Sequence, residues 1–305
     1  MKPLDPNISV QELQSLNYEY SYTKEELWVD WARLKGVREY KTGSQFQPGI
    51  KLCQHFFPNF WDIRNDKGVC FRDAWMDTAL MESVLDWGRK SMSQLWLSWI
   101  RRAVYMRAGL PNSSFYRPHF SKQICQMTGK REGRLFDPCA GWGGRMLGTV
   151  ANGWKYVGCE PNTETYLNLR RLVRFLEIED QVTLHNMPAE ECWKTGPIFD
   201  VVLTSPPYFN LEVYTDDSRQ SYNRHNSYAD WSENWFRPLI RDCLARLRPQ
   251  GLSAWNVMNF KKCDLVADVF QEHAGLKLDA LVGFRSPLGN LRPVKNKDVT
   301  YVFQT

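Results

Sequence analysis

Two short runs hold the residue types that could do chemistry. The first, Asp137-Pro138-Cys139-Ala140-Gly141-Trp142-Gly143-Gly144, sets an acid and three glycines after the apolar pair Leu135-Phe136 and before a helical pattern that begins at Arg145. Strand, glycine-rich turn and helix in that order make the first βα unit of a doubly wound sheet. Glycines are needed where the turn is tight and the backbone comes close to a ligand, because a Cβ would stand in the way. The second run, Thr204-Ser205-Pro206-Pro207-Tyr208, follows the buried-strand pattern Phe199-Asp200-Val201-Val202-Leu203. Its two prolines forbid both strand and helix and fix a rigid turn at the carboxyl end of a strand, the edge at which open α/β sheets bind ligands.

The glycine-rich turn by itself reads equally well as a plain structural turn. A dinucleotide fingerprint G-x-G-x-x-G is not met, since Met146 stands where the third glycine belongs. An acid at the strand end would repel a pyrophosphate, and it suits a cationic ligand carrying hydroxyls. Glu160 ends the next apolar strand, Trp154 to Cys159. It falls roughly 20 residues beyond the first acid, the offset at which a carboxylate accepts from ribose hydroxyls.

Taken together, Asp-x-x-x-Gly-x-Gly and the downstream Ser-Pro-Pro-Tyr resemble motifs I and IV of the S-adenosylmethionine-dependent amino-methyltransferases of DNA. The resemblance implies an S-adenosylmethionine pocket lined by Asp137, Cys139, Gly141, Gly143 and Glu160. Tyr116-Arg117-Pro118-His119-Phe120 resembles the same family's motif X, which would bring Pro118 and Phe120 over the methionine end. Asn186 stands at the end of the third strand, where the family usually has an acid facing the adenine. Catalysis is then expected of Ser205, Pro206, Pro207 and Tyr208. The Ser205 hydroxyl and the Pro206 carbonyl would accept the two N–H protons of an exocyclic amine, and the Tyr208 ring would stack on a base swung out of the duplex. In the family, serine at the first position goes mostly with N4 of cytosine, and aspartate or asparagine with N6 of adenine. RNA-base and protein-glutamine methyltransferases share the Pro-Pro-aromatic logic but mostly carry Asn or Asp in place of Ser205. The implied partner is double-stranded DNA with one base flipped, and the resemblance also admits a cognate restriction endonuclease.

The elements that must position these runs are legible in outline. The chain has 305 residues, 43% hydrophobic and 24% charged, enough apolar material for a large core. Its net charge of +5 is spread along the chain and permits a polyanionic partner without requiring one. Alternation of strands and helices from 135 to 260 predicts an α/β fold, a doubly wound, mostly parallel seven-stranded sheet with an antiparallel closing strand. A mainly helical, aromatic-rich region is expected over 1–112, contributing DNA recognition, with the catalytic domain over 113–305. Thr23-x-x-Glu26 is a capping box opening a helix that Gly36 closes. One helix is predicted over 73–87 and another over 91–107, the latter carrying Arg101, Arg102 and Arg107 on a solvated face. Residues 41–72 show no period and read as irregular. The long polar stretch 209–230 would be a functional loop, with Arg219, Tyr222, Arg224 and His225 tracking a nucleic-acid backbone. Arg285, Arg292, Lys295 and Lys297 sit between the last two strands. The eight cysteines form no C-x-x-C pair and read as reduced core thiols, with no structural zinc. No apolar run reaches transmembrane length and the N-terminus is not a signal peptide, so a cytoplasmic location with no membrane partner is expected.

Overall fold

The structure is a computed structural model that describes residues 3–38, 46–111, 113–192, 198–283 and 299–305. Position 112 and the segment holding Arg285, Arg292, Lys295 and Lys297 lie outside the described residues. The chain forms two compact units, and they do not divide it once near residue 112. The first comprises Met1–Ser21, Pro58–Ser114 and Asn210–Thr215, and the second Tyr22–Phe57, Phe115–Phe209 and Asp216–Thr305. Residues 22–57 join the second unit because the helices they form have aromatic faces to bury there. Trp28 and Phe56 both pack on Phe175.

The first unit is helical. Its core is a cluster of rings in which Trp61 meets Tyr18, Phe71 and Tyr105, and Phe71 stacks on Trp75. Arg101 is buried beneath Tyr20 and Trp61, a cation–π contact and not the solvated face expected for it. Arg72 ties Tyr18, Glu19 and Asp62 together. The helix expected over 73–87 is two helices, Phe71–Met76 and Thr78–Ser91. Asp77 breaks them apart because its carboxylate caps the second, accepting from the Leu80 N–H.

The second unit is built on a sheet of seven strands: β1 Arg134–Asp137, β2 Lys155–Cys159, β3 Val182–His185, β4 Phe199–Thr204, β5 Leu247–Val257, β6 Lys277–Val282 and β7 Val299–Gln304. Their order is β3-β2-β1-β4-β5-β7-β6. The first five run parallel, and β7 is antiparallel to both neighbours. The expected architecture is therefore present. Strand order reverses direction between β1 and β4, so the turns that follow these two strands lie side by side at the switch point. Every residue of β4 is buried, its polar Asp200 and Thr204 included.

Helix Gly144–Ala151 leaves the glycine-rich turn and packs on helix Pro118–Met127. Two glycines on its face allow the approach. A Cβ on Gly148 would lie 1.9 Å from the Pro118 carbonyl oxygen, and one on Gly144 would lie 2.1 Å from that of Tyr116. Pro118 opens its helix at the first position, where its missing N–H costs nothing. Lys122 of the same helix reaches the frayed end of helix Lys24–Lys35, donating to the carbonyls of Leu34, Lys35 and Val37. Burial pulls its ammonium down to a pKa of about 8. Residues 50–56, expected to be irregular, form a helix because Asp30 accepts from the Lys51 N–H at its first turn. Among the described residues no helix is long and apolar enough to cross a membrane.

Gly148→Ala is expected to force the two helices apart and destabilise the protein by roughly 1–3 kcal/mol, read as a lowered urea midpoint with unchanged slope.

Candidate active site

At the carboxyl ends of the parallel strands lies a cleft lined by the β1 turn (Pro138, Cys139, Gly141), the β2 end (Glu160, Pro161) and the β4 turn (Ser205, Pro207). Pro188, Ala189 and Glu190 border it after β3, and Arg219, Gln220, Ser221, Arg224 and Trp235 form the far wall.

Asp137 is not on the wall of this cleft, contrary to the expectation of cofactor contact. It is fully buried beneath the turn, where four donors fill its carboxylate: Arg145 Nε at 2.7 Å, Tyr156 hydroxyl at 2.8 Å, Thr204 hydroxyl at 2.8 Å and the Cys139 N–H at 3.2 Å. Arg145 also donates to the carbonyls of Cys139 and Ala140, so the acid and the arginine together clamp the turn. Through Thr204 the same carboxylate holds the residue immediately before Ser205. Gly141 and Gly143 both adopt left-handed backbone, φ 55° and 74°, which the turn demands and glycine supplies without strain. Gly143 faces Leu169, Leu172 and Phe57, so its role is packing, whereas Gly141 lines the cleft.

Glu160 is where the sequence placed it, at the cleft. Its carboxylate accepts from the N–H groups of Gly141 (3.0 Å) and Asn162 (2.9 Å). Burial outweighs these two bonds and raises its pKa to about 7. Asn186 does not face the cleft. Its amide nitrogen donates to the carbonyls of Glu160 and Pro161 and its oxygen accepts from Thr163, so it ties the end of β3 to the end of β2. Pro118 and Phe120 are likewise not wall residues: they sit in the helix interface described above, with Phe120 beside Gly283.

In the β4 turn Ser205 and Pro207 reach the cleft and Pro206 is buried behind them. Tyr208 is nearly covered. Its ring lies against Phe260 and its hydroxyl donates to the Asn256 carbonyl, so it is committed to the turn's own packing. Phe209 follows with φ 48°, left-handed in a residue that carries a Cβ, the kind of local strain that gathers at functional turns.

Of the four residues expected to follow a nucleic-acid backbone, Arg219 and Arg224 line the cleft. The stretch is not an open loop; Ser221–Arg224 winds into a 3-10 turn against the cleft. Arg224 forms an ion pair with Glu190, and Arg219 holds Asp217 and the Thr163 hydroxyl. Tyr222 is buried, and His225 Nδ1 lies 3.0 Å from Asp230 Oδ2.

Several wall residues escaped the sequence reading, and three of them matter most to the lining. Trp235 lies in a π-helical segment, Ser232–Phe236, and donates to Glu190. Gln220 lines the cleft, is nine-tenths buried, and its amide nitrogen has no acceptor among the described residues. Glu190 is the third, held by Trp235 and Arg224. No spacing signal marks any of them. Cys159 and Cys192 are joined in a disulfide, which corrects the expectation of eight reduced thiols; six remain free. The bond fastens the end of β2, beside Glu160, to the end of helix Ala189–Cys192 on the cleft border.

The sequence matches no family model, and it matches no curated protein. Among solved structures it is similar to TrmN from Thermus thermophilus, at 14% identity over 62% of this chain and 48% of that one, TM-score 0.42. It is similar to a methyltransferase from Pyrococcus furiosus at 15% identity over 64% and 85%, TM-score 0.41. An S-adenosylmethionine-dependent O-methyltransferase from Thermotoga maritima shows 14% identity over 65% and 68%, TM-score 0.42. Likenesses this slight decide nothing about chemistry, which rests on the geometry of the cleft.

Because the folded pKa of Glu160 lies above its ordinary value, this group stabilises the free protein at low pH, and that contribution is lost as pH rises through about 7. Glu160→Gln should therefore gain on wild type between pH 5 and pH 8, by on the order of 2–3 kcal/mol in urea unfolding.

Proposed function

We propose that this chain is an S-adenosylmethionine-dependent methyltransferase acting on the exocyclic amine of a DNA base, with N4 of cytosine as the target. The observation that carries the reading is the meeting of Ser205-Pro206-Pro207 with the glycine-rich turn and Glu160 around one cleft at the switch point. The residues present suit the cofactor. Gly141 lets backbone approach it, Glu160 offers a carboxylate for ribose hydroxyls, and the unpaired Gln220 amide supplies a donor for a polar edge. When bound, the cofactor supplies an electrophilic methyl group on a sulfonium.

The chain's own residues then act on the amine. Its lone pair is delocalised into the base, which makes it a poor nucleophile. The Ser205 hydroxyl oxygen accepts one N–H and the Pro206 carbonyl the other, drawing the nitrogen toward tetrahedral geometry and localising the pair for in-line attack. Transfer would form the amine's N–C bond as the cofactor's methyl–sulfur bond is given up with its electron pair, and the amine's extra proton would leave afterwards to water. Positioning and aligned dipoles supply the rate, and no strong base is required. The Tyr208–Phe260 contact stiffens the turn that presents both acceptors.

Purified protein incubated with labelled cofactor should transfer label to DNA in preference to RNA or protein, and digestion to nucleosides followed by mass spectrometry should yield N4-methylcytosine. N6-methyladenine alone would overturn the cytosine assignment, and label on RNA or protein alone would overturn DNA as substrate. Ser205→Ala should lower transfer about 100-fold while leaving cofactor affinity unchanged. Gln220→Leu should instead weaken cofactor binding by calorimetry, about 5- to 30-fold for one lost hydrogen bond.

A further inference from the structure

Ser205 does not stand alone at the cleft. The Asn256 amide nitrogen lies 3.4 Å from its hydroxyl oxygen. Asn256 is the penultimate residue of β5, and directly across the antiparallel ladder is Thr300 of β7. Residues paired in this way present their side chains on the same face of the sheet. The Thr300 hydroxyl donates to Asn256 Oδ1 at 2.9 Å, and the Tyr116 hydroxyl lies 3.1 Å from Thr300 Oγ1. The backbone carbonyl of Asn256 also accepts from Tyr208, two residues beyond the Pro206 carbonyl. Asn256 therefore grips the Ser-Pro-Pro-Tyr turn at both ends. Both Asn256 and Thr300 are buried.

The chain of bonds has a direction. Thr300 spends its single proton on Asn256 Oδ1, so Tyr116 must be the donor to Thr300. With its oxygen occupied, the Asn256 amide presents only N–H donors to Ser205. A serine oxygen has two lone pairs and one rotatable proton. One lone pair filled from behind by Asn256 fixes the hydroxyl and leaves the second for a donor arriving in the cleft. At 3.4 Å the contact is at the long end for a hydrogen bond, as catalytic contacts often are before the substrate complex tightens them.

We propose that Asn256 is a positioning residue: through the Tyr116–Thr300–Asn256 relay it sets Ser205 as an acceptor for the N–H of the target amine. The inference rests on the reading of Ser205 given under Proposed function. The Asn256 side chain touches the turn at Ser205, whereas its grip on Tyr208 is through the backbone and survives a side-chain substitution, which is what separates positioning of Ser205 from mere support of the sheet.

The test is a double-mutant cycle on the full chain, with unmethylated mixed-sequence duplex DNA and labelled S-adenosylmethionine. Asn256→Leu should lower kcat about 10- to 100-fold, the cost of a loosened catalytic geometry, with cofactor affinity by calorimetry unchanged. In a Ser205→Ala background the same substitution should cost less than about twofold, since the group it positions is gone. Thr300→Val keeps the shape and breaks the relay one link further back; it should show a smaller loss of kcat, also abolished by Ser205→Ala. Should Asn256→Leu fail to fold, the Thr300→Val cycle decides alone. Equal losses in both backgrounds, or no loss from either variant in an active enzyme, would overturn the inference and leave the functional reading intact. A folded wild type that transfers no label to DNA overturns the functional reading and this inference with it.

Discussion

One buried carboxylate organises the whole site. Asp137 ends β1 with no contact to solvent and four donors around it, one each from the helix after the turn, from β2, from β4 and from the turn's own backbone. A charge in such a place is tolerated only when paired and fully hydrogen-bonded, and Arg145 provides the pairing. The consequence is geometric. Because Thr204 and the glycine-rich turn share one acceptor, the residue presenting Ser205 and the turn presenting Gly141 are held in register across the β1–β4 junction. Taking away either charge would strand the other in an apolar interior, a far larger loss than the net worth of the pair.

The rest of the cleft is assembled from short tethers of the same kind. Asn186 laces β3 to β2, the disulfide from Cys159 does so again a few residues on, and Arg224 and Trp235 both grip Glu190. The groups left with chemistry to offer are few: the Glu160 carboxylate, whose pKa burial moves into the neutral range, the Ser205 hydroxyl and the Gln220 amide. Arg224 and Trp235 within the lining, and Asn186 and Cys159 beside it, tie the border together, while Glu160, Ser205 and Gln220 of the same lining carry the groups that face a ligand.

Much of this fold could be read from the chain, and particular residues show why. The β4 strand was plain because the short apolar run Val201-Val202-Leu203 breaks, after Thr204-Ser205, into two prolines. The Thr23–Glu26 capping box appears as written. What could not be read depended on partners distant in sequence. Helix Ile50–Phe56 is capped by Asp30, Arg101 is buried by Tyr20 and Trp61, and Cys159 finds Cys192 only once β3 lies beside β2. At the site, motif position leads to the strand ends, and Glu160 and Ser205 line the cleft there. Asp137 and Asn186 stand at strand ends too, but a motif fixes where a backbone goes and not whether the side chain is already bonded to its neighbours. The stretch 209–230 read as an open polar loop; the aromatic anchors that fold it against the cleft, such as Trp231 donating to Ser221, carry no local signal.

The π-helical segment Ser232–Phe236 gives this wall an unusual origin. A π turn holds one residue more than the α turn it replaces, and each residue in a helix swings the chain by ~100° about its axis. Trp235 therefore faces the cleft by virtue of a local excess of one residue between helices Tyr228–Trp231 and Arg237–Ala245. Deleting a single position there would restore regular winding and rotate the indole off Glu190, while the downstream helix kept its seat on the sheet. In that sense the far wall is a phase offset written into the helix, adjustable by insertion or deletion without touching a strand or a motif.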